Sequence, residues 1–156
     1  MKYLLKPEEY KLPNPRIDGF RKLKEVGART FDVFLTAPEC FDEFLKLGKL
    51  PNGFEVELDA VLEKLKTRWP NYALAVRRAY VVLGIENPPG PRFNALSERA
   101  EIVSAIEEIF RFAVSQNYHQ DEKSQIIAFF NPFIGPEKFD RQNPKAAFVS
   151  YGGYAI

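Results

Sequence analysis

Apolar residues recur along this chain at two different spacings, and the switches between them mark its elements. Asp18 is placed to cap a short helix carrying Phe20, Leu23 and Val26, with Gly27 as its stop. TFDVFL then alternates, with Phe31, Val33 and Leu35 on one side and Thr30, Asp32 and Phe34 on the other. That is the pattern of a strand covered on both faces. Thr36-Ala-Pro-Glu39 reads as a capping box with proline in the first turn, opening a helix. Its buried stripe is Phe41, Phe44 and Leu45, Cys40 lies beside them, and Gly48 ends it. After the turn Pro51-Asn52-Gly53, the alternation of Phe54, Val56 and Leu58 with Glu55 and Glu57 predicts a strand. Asp59 then caps a helix carrying Val61, Leu62, Leu65 and Trp69.

The stretch NYALAVRRAYVVLG, Asn71 to Gly84, is read as a helix. Pro70-Asn71 offers a cap and Gly84 a stop, while Tyr72, Val76, Ala79, Tyr80 and Leu83 share one face at helical spacing. On such a helix Arg77 lies about a quarter-turn from the stripe and Arg78 nearly opposite it. Leu74, Val81 and Val82 make the far side apolar too, so the arginine stems lie along the flank of a sandwiched helix. That placement makes the pair structural rather than a joint grip on phosphate.

The second half opens with the loop NPPGP and a short strand, RFNAL. Ser97 caps a long helix with Ile102, Ile106, Ile109, Phe110 and Ala113 as its stripe, and Glu98 and Glu101 sit in the first turn, where the helix dipole favours anions. Asn117 to Lys123 is a polar loop. SQIIAFF is an almost unbroken apolar run, a central strand stopped by Asn131-Pro132, and AAFVSYGGYAI reads as a last strand bent at Gly152-Gly153. The expected class is α+β: a single compact domain over residues 1–156, its mixed or antiparallel sheet packed with about four to five helices.

Composition narrows the partners more than the fold. Lys and Arg total 22 against 21 acidic residues, so no long-range positive field gathers nucleic acid or an anionic membrane, and only a local basic patch is open. No apolar run approaches the roughly 20 residues that span a bilayer. The start, MKYLLKPEEYKLPNP, is broken by charge and proline before a signal-peptide core forms, and the expected location is cytoplasmic. Cys40, the single cysteine, excludes an internal disulfide and suits a small core position. The single histidine, His119, excludes a histidine triad and a multi-histidine metal site within one chain, and Asp121 and Glu122 beside it lack ligand spacing. Glu55 with Glu57, and Glu107 with Glu108, are expected to meet water rather than to form an acid/base dyad.

One resemblance goes further. GARTFDVFLTAPECFDEFL, Gly27 to Leu45, resembles the segment near the start of the nucleotide-binding domain of phosphoenolpyruvate synthase and pyruvate, phosphate dikinase, written G-x-x-V-P-x-G-F-x-x-T-x-x-A-[FY]-x-x-F-[LIV]. Gly27, Phe34, Thr36, Phe41, Phe44 and Leu45 agree. AVRRAYVVLG resembles that family's helix A-I-x-x-A-Y-x-x-L. RFNALSERAEIVSAIEEIF resembles its Y-L-N-V strand and following helix, and IIAFFNPFI falls where the family has V-V-V-Q-x-M-V. The order of these pieces is kept over nearly the whole chain.

The departures shape what the resemblance implies. The family's G-G-K, whose lysine contacts nucleotide phosphates, falls on Asn14-Pro15-Arg16, leaving Arg16 as the cation. Its V-A-V-R-S-S-A segment should stand between Gly84 and Arg92, where only IENPPGP is found, and the strand glutamine becomes Asn131. The second half of the cleft, the phosphohistidine domain and the phosphoenolpyruvate barrel do not fit in this length. The resemblance therefore implies a noncatalytic binding or regulatory protein on an ATP-grasp-like scaffold. Its alternative is an ATP-binding phosphotransferase component whose active site another chain completes. Arg16 and Asn131 are the implied cofactor contacts and ATP with magnesium the implied cofactor. The apolar C-terminal strand is the expected surface for a protein partner or for a second copy of the chain.

Overall fold

The computed structural model describes residues 2–28, 32–69 and 73–133. In chain order these form β1 (Leu4–Leu5), a 3-10 turn at Pro7–Glu9, α1 (Pro15–Glu25), β2 (Phe34–Thr36), α2 (Pro38–Leu47) and α3 (Asn52–Arg68). There follow β3 (Ala73–Arg78), β4 (Phe93–Leu96), α4 (Arg99–Ser115), a 3-10 turn at Tyr118–Gln120, and β5 (Ala128–Phe133). The strands make one antiparallel sheet in the order β1-β2-β5-β3-β4, so the class is α+β, as the patterning predicts. The expected C-terminal strand lies outside the described residues. Among the described residues no helix is long and apolar enough to cross a membrane.

Alternation along the central strand divides the protein into two cores. Ala128 and Phe130 join Leu74 and Val76 in the larger one, which α2, α3 and α4 cover. Ile127 and Phe129 turn to the other face, where Leu35, Ala79, Tyr10 and Ile17 of α1 meet them. Burial on both faces is what the unbroken apolar run predicts. The strand does not stop at Asn131-Pro132, however: Pro132 pairs opposite Leu74 and Phe133 opposite Ala73. Pairing with β2 covers only Phe129 and Phe130, so among the described residues Pro132 has a ladder neighbour on one side, the edge-like setting that tolerates a missing N–H.

Two elements differ in kind from their sequence reading. Residues 52–68 are one helix, not a strand followed by a helix. FEVELDAVL supports either period, and the helical one prevails because Phe54, Leu58 and Leu65 reach the larger core while Val56 is left 71% exposed. Within the supposed helix at 72–83, residues 73–78 form β3, whose alternation puts Leu74 and Val76 against α4 and Ala75 on the opposite face, with Ala79 just beyond the strand on that same face. Tyr72 itself lies outside the described residues. Thr30 and Phe31 do as well, so the strand read in TFDVFL is described only as Phe34–Thr36.

The caps shift by a few positions, each for a local reason. Asn14, not Asp18, caps α1: its Oδ1 accepts from the N–H groups of Arg16 and Ile17. Leu23 and Val26 are exposed rather than part of a buried stripe. Thr36 makes no cap hydrogen bond because its buried hydroxyl accepts from the Ala128 N–H at 3.0 Å, leaving Ala37 at the cap position. Pro38 opens α2 and Gly48 closes it with φ 75°, as predicted. Of the α2 stripe, Cys40, Phe41 and Phe44 are buried, but Leu45 faces outward. Burial lifts the Cys40 thiol pKa far above its ordinary range, so this is an inert core residue. Glu98, not Ser97, caps α4 in a box with Glu101, and the predicted stripe of α4 is wholly buried.

Two of the carboxylates expected in water anchor the chain instead. Glu57 accepts the N–H groups of Tyr3 and Leu4, pinning β1 to α3. Glu107 accepts the Leu50 N–H at 2.9 Å. Glu108 stays at the surface beside Arg111, and Glu55 is half-buried in the first turn of α3.

Asn14 does more than cap. Its Nδ2 donates to the Ala79 carbonyl at 2.9 Å and to Gln125 Oε1, which also accepts from the Tyr10 hydroxyl. Asn14→Ala is expected to lower stability by about 2–3 kcal/mol, the sum of a lost cap and a stranded buried carbonyl, as measured by urea unfolding. Asn14→Asp keeps the cap acceptor but turns a carboxylate oxygen on the Ala79 carbonyl and Gln125 Oε1, so it should not recover the loss.

Three tyrosines couple stability to alkaline pH. Burial raises the Tyr10 pKa to about 12 against a weak opposing charge from Arg21. The hydrogen bond to Glu43, with burial and that carboxylate's charge behind it, raises Tyr3 to about 12. Burial also raises Tyr80, whose hydroxyl donates to the Ile109 carbonyl. The folded state holds these protons more tightly than the unfolded chain, whose tyrosines titrate near 10. Stability is therefore expected to be level up to about pH 10 and to fall from there to about 12. The part of the tyrosinate absorbance that Tyr3→Phe, Tyr10→Phe and Tyr80→Phe remove should rise in step with loss of circular dichroism, whereas its appearance in a fully folded chain would contradict the packing of these rings.

Candidate anion-binding site

β3 ends at Arg78, and the chain beyond it makes the site. Because successive strand residues point to opposite faces, Arg77 lies on the face of Ala75 and Ala79, and Arg78 on the face of Val76 and Tyr80. The Arg77 guanidinium turns toward β4, donating to the Phe93 carbonyl and Asn94 Oδ1. The Arg78 Nε donates to the Pro88 carbonyl at 2.9 Å, which ties its stem to the loop NPPGP. That stem requires Gly90: a Cβ there would stand 2.4 Å from Arg78 Cδ and 2.6 Å from Tyr80 Cε2.

The first turn of α1 brings the second cation. Pro15 at the first helical position and the Asn14 cap fix the start of the helix against the Ala79 carbonyl, so Arg16 emerges beside the end of β3. Arg16 and Arg78 together with Asn14, Tyr80, Glu86 and Asn87 line a pocket of about 250 Å³. A shallower hollow of about 570 Å³ continues along α1 past Pro15 and Arg16, over Gly19, Phe20 and Leu23. Burial, followed by the like charges of Arg92, Arg16 and Arg78, lowers the Arg77 pKa, so four guanidinium groups share one neighbourhood. Arg16 and Arg92 make no ion pair among the described residues, and Glu86 is the one carboxylate lining the pocket.

Of the two cofactor contacts expected from sequence, the structure brings only Arg16 to this pocket. Asn131 stands in β5 opposite Ala75, donates to the Pro132 carbonyl, and lines neither hollow. Arg78, Gly90 and the capping Asn14 were not expected there. The helical reading of 71–84 hides Arg78, although Leu74, Val76 and Tyr80 alternating with Ala75, Arg77 and Ala79 carry the period of a strand. His119 lies elsewhere, in the 3-10 turn packed against Phe41, and among the described residues no group of three metal-ligating side chains is assembled. No protein-family model matches the chain, and no curated protein matches it.

Proposed function

We propose that the chain is a noncatalytic binding protein, built on a scaffold resembling the nucleotide-binding domain of phosphoenolpyruvate synthase, and that its ligand is ATP or a similar nucleotide held by its phosphates. The observation that carries this reading is the convergence of Arg16 and Arg78, far apart in sequence, on one concave surface within the field of Arg77 and Arg92. Gathering like charges is unfavourable unless an anion accompanies them, and the planar guanidinium matches phosphate oxygens in pairs. The pocket's volume suits a short polyphosphate, while the adjoining hollow offers Phe20 and Leu23 as an apolar bed for a base. The reading is one of binding because arginines position and neutralise, whereas phosphoryl transfer also needs metal-held oxygens and an in-line acceptor, and Glu86 alone faces the pocket as a carboxylate.

The second reading, a phosphotransferase component whose active site another chain completes, uses the same basic corner.

Titration of the amide NMR spectrum with ATP tests them together. Binding should move the signals of Arg16, Gly19, Arg78 and Asn87, and pyrophosphate should compete. Silence at millimolar nucleotide, with and without magnesium, would end both readings; ATP consumption that appears only when a partner chain is added would replace the first with the second, and steady consumption by the pure chain would overturn both.

A further inference from the structure

Glu86 is an unexpected lining residue for an anion pocket, and the chain on either side of it is held in place. Val82 and Ile85 close a hairpin bridge just before it. Just after it Pro88 is buried with its carbonyl taken by Arg78 Nε, and the Pro89 carbonyl accepts from the Tyr118 hydroxyl at 3.2 Å. Glu86 and Asn87 therefore span the gap between fixed points. Asn87 does so at φ 48°, a left-handed conformation that asparagine adopts more readily than most residues. The carboxylate presented in this way lines the same pocket of about 250 Å³ as Arg16 and Arg78. Yet it pairs with neither, and Glu86 makes no ion pair or hydrogen bond among the described residues. Unlike charges that share one pocket but stay apart leave an acceptor and guanidinium donors open to a ligand that carries both an anion and a donor of its own.

We propose that Glu86 is the specificity-determining residue of this pocket, accepting hydrogen bonds from the ribose hydroxyls of a nucleotide whose phosphates lie against Arg16 and Arg78. This rests on the nucleotide reading above and narrows it to ribonucleotides. A bare polyphosphate brings acceptors only, and a carboxylate repels it. The donors of a nucleotide are its sugar hydroxyls and the N–H groups of its base. The base belongs over Phe20 and Leu23, in a hollow that no carboxylate lines, so the hydroxyls are the donors left to meet Glu86. The sugar joins the two ends across Pro15 and Arg16, the residues that both hollows share. A hydroxyl on a carboxylate makes a charge-assisted hydrogen bond, one of the stronger kinds.

The test compares ATP, 2′,3′-dideoxy-ATP and inorganic tripolyphosphate by calorimetry on the whole chain and on Glu86→Ala, at low salt, in EDTA and again with magnesium. Glu86 is exposed, so the variant is expected to fold as the wild type does, with circular dichroism as the check. In EDTA the wild type should bind ATP about tenfold more tightly than the dideoxy analogue. In Glu86→Ala the two should bind alike, while tripolyphosphate should bind about twofold to threefold more tightly than to the wild type, because a repelling charge is gone. A merely structural role for Glu86 would weaken all three ligands together, and that result overturns the proposal. Equal affinity of ATP and dideoxy-ATP for the wild type does so too, and leaves the arginine grip standing. So does a preference for ATP that survives in Glu86→Ala, or one that appears only with magnesium, which would assign the carboxylate to the metal. Failure of all three ligands to bind the wild type, with or without magnesium, would end the nucleotide reading and this proposal with it.

Discussion

Phe130→Ala is expected to lower the unfolding free energy by about 3–5 kcal/mol, a large share of the roughly 5–15 kcal/mol that holds a domain folded. Phe130 is wholly buried on the central strand. Its ring stacks on Phe34 of β2 with centroids 5.8 Å apart, and its backbone partner in β3 is Val76, so truncation opens a cavity where three strands and the helical layer meet. Neighbours held on every side cannot collapse into it, which places the loss at the upper part of the range. Phe129→Ala is the internal comparison. That ring meets Phe20 edge-on at 5.3 Å in the smaller core, beneath the single helix α1, which has room to settle, and its loss should be the lesser of the two. Urea unfolding followed by Trp69 fluorescence reads both, with the slope unchanged and the midpoint lowered. A Phe130→Ala loss below about 1 kcal/mol would mean that the helical layer does not pack on this face as described.

What the sequence makes legible follows from how many interactions agree on one period. In α4 the stripe from Ile102 to Ala113 meets a single surface, and every residue predicted to be buried is buried. At 54–58 two periods fit equally well, and only the position of the core decides, through the exposure of Val56. At 73–80 the flanking asparagine and glycine imitate helix signals, yet the pairing of six successive residues with β5 outweighs them. Readings of single polar side chains fail for a third reason. A threonine hydroxyl, an asparagine amide and a glutamate carboxylate each have long-range suitors: Ala128 for Thr36, Ala79 for Asn14, Leu50 for Glu107. No local rule contains those partners. The arginine pocket is illegible for the same cause, since Arg16 and Arg78 are joined only by the docking of α1 against the end of β3. A resemblance pointed to the first, and nothing in the pattern pointed to the second.

Removal of those two arginines should separate a phosphate grip from two solvated flank residues. If each guanidinium holds phosphate through charge-assisted hydrogen bonds, Arg16→Ala and Arg78→Ala should each weaken nucleotide by about tenfold to a hundredfold. The double variant should abolish binding at millimolar ligand. The effect on the unliganded fold runs the other way. Arg16 is exposed and makes no ion pair among the described residues, so its removal relieves repulsion within the cluster and should leave stability unchanged or slightly raised. Arg78→Ala forfeits the hydrogen bond to Pro88, worth about 1 kcal/mol. Gly90→Ala supplies the control that charge deletion lacks, because it keeps every arginine but forces the Arg78 stem off the loop. Its nucleotide affinity should fall toward that of Arg78→Ala, and raising salt should weaken the wild-type chain more steeply than any of the three variants. Stability losses in Arg78→Ala and Gly90→Ala with nucleotide affinity intact would return Arg78 to a purely structural role.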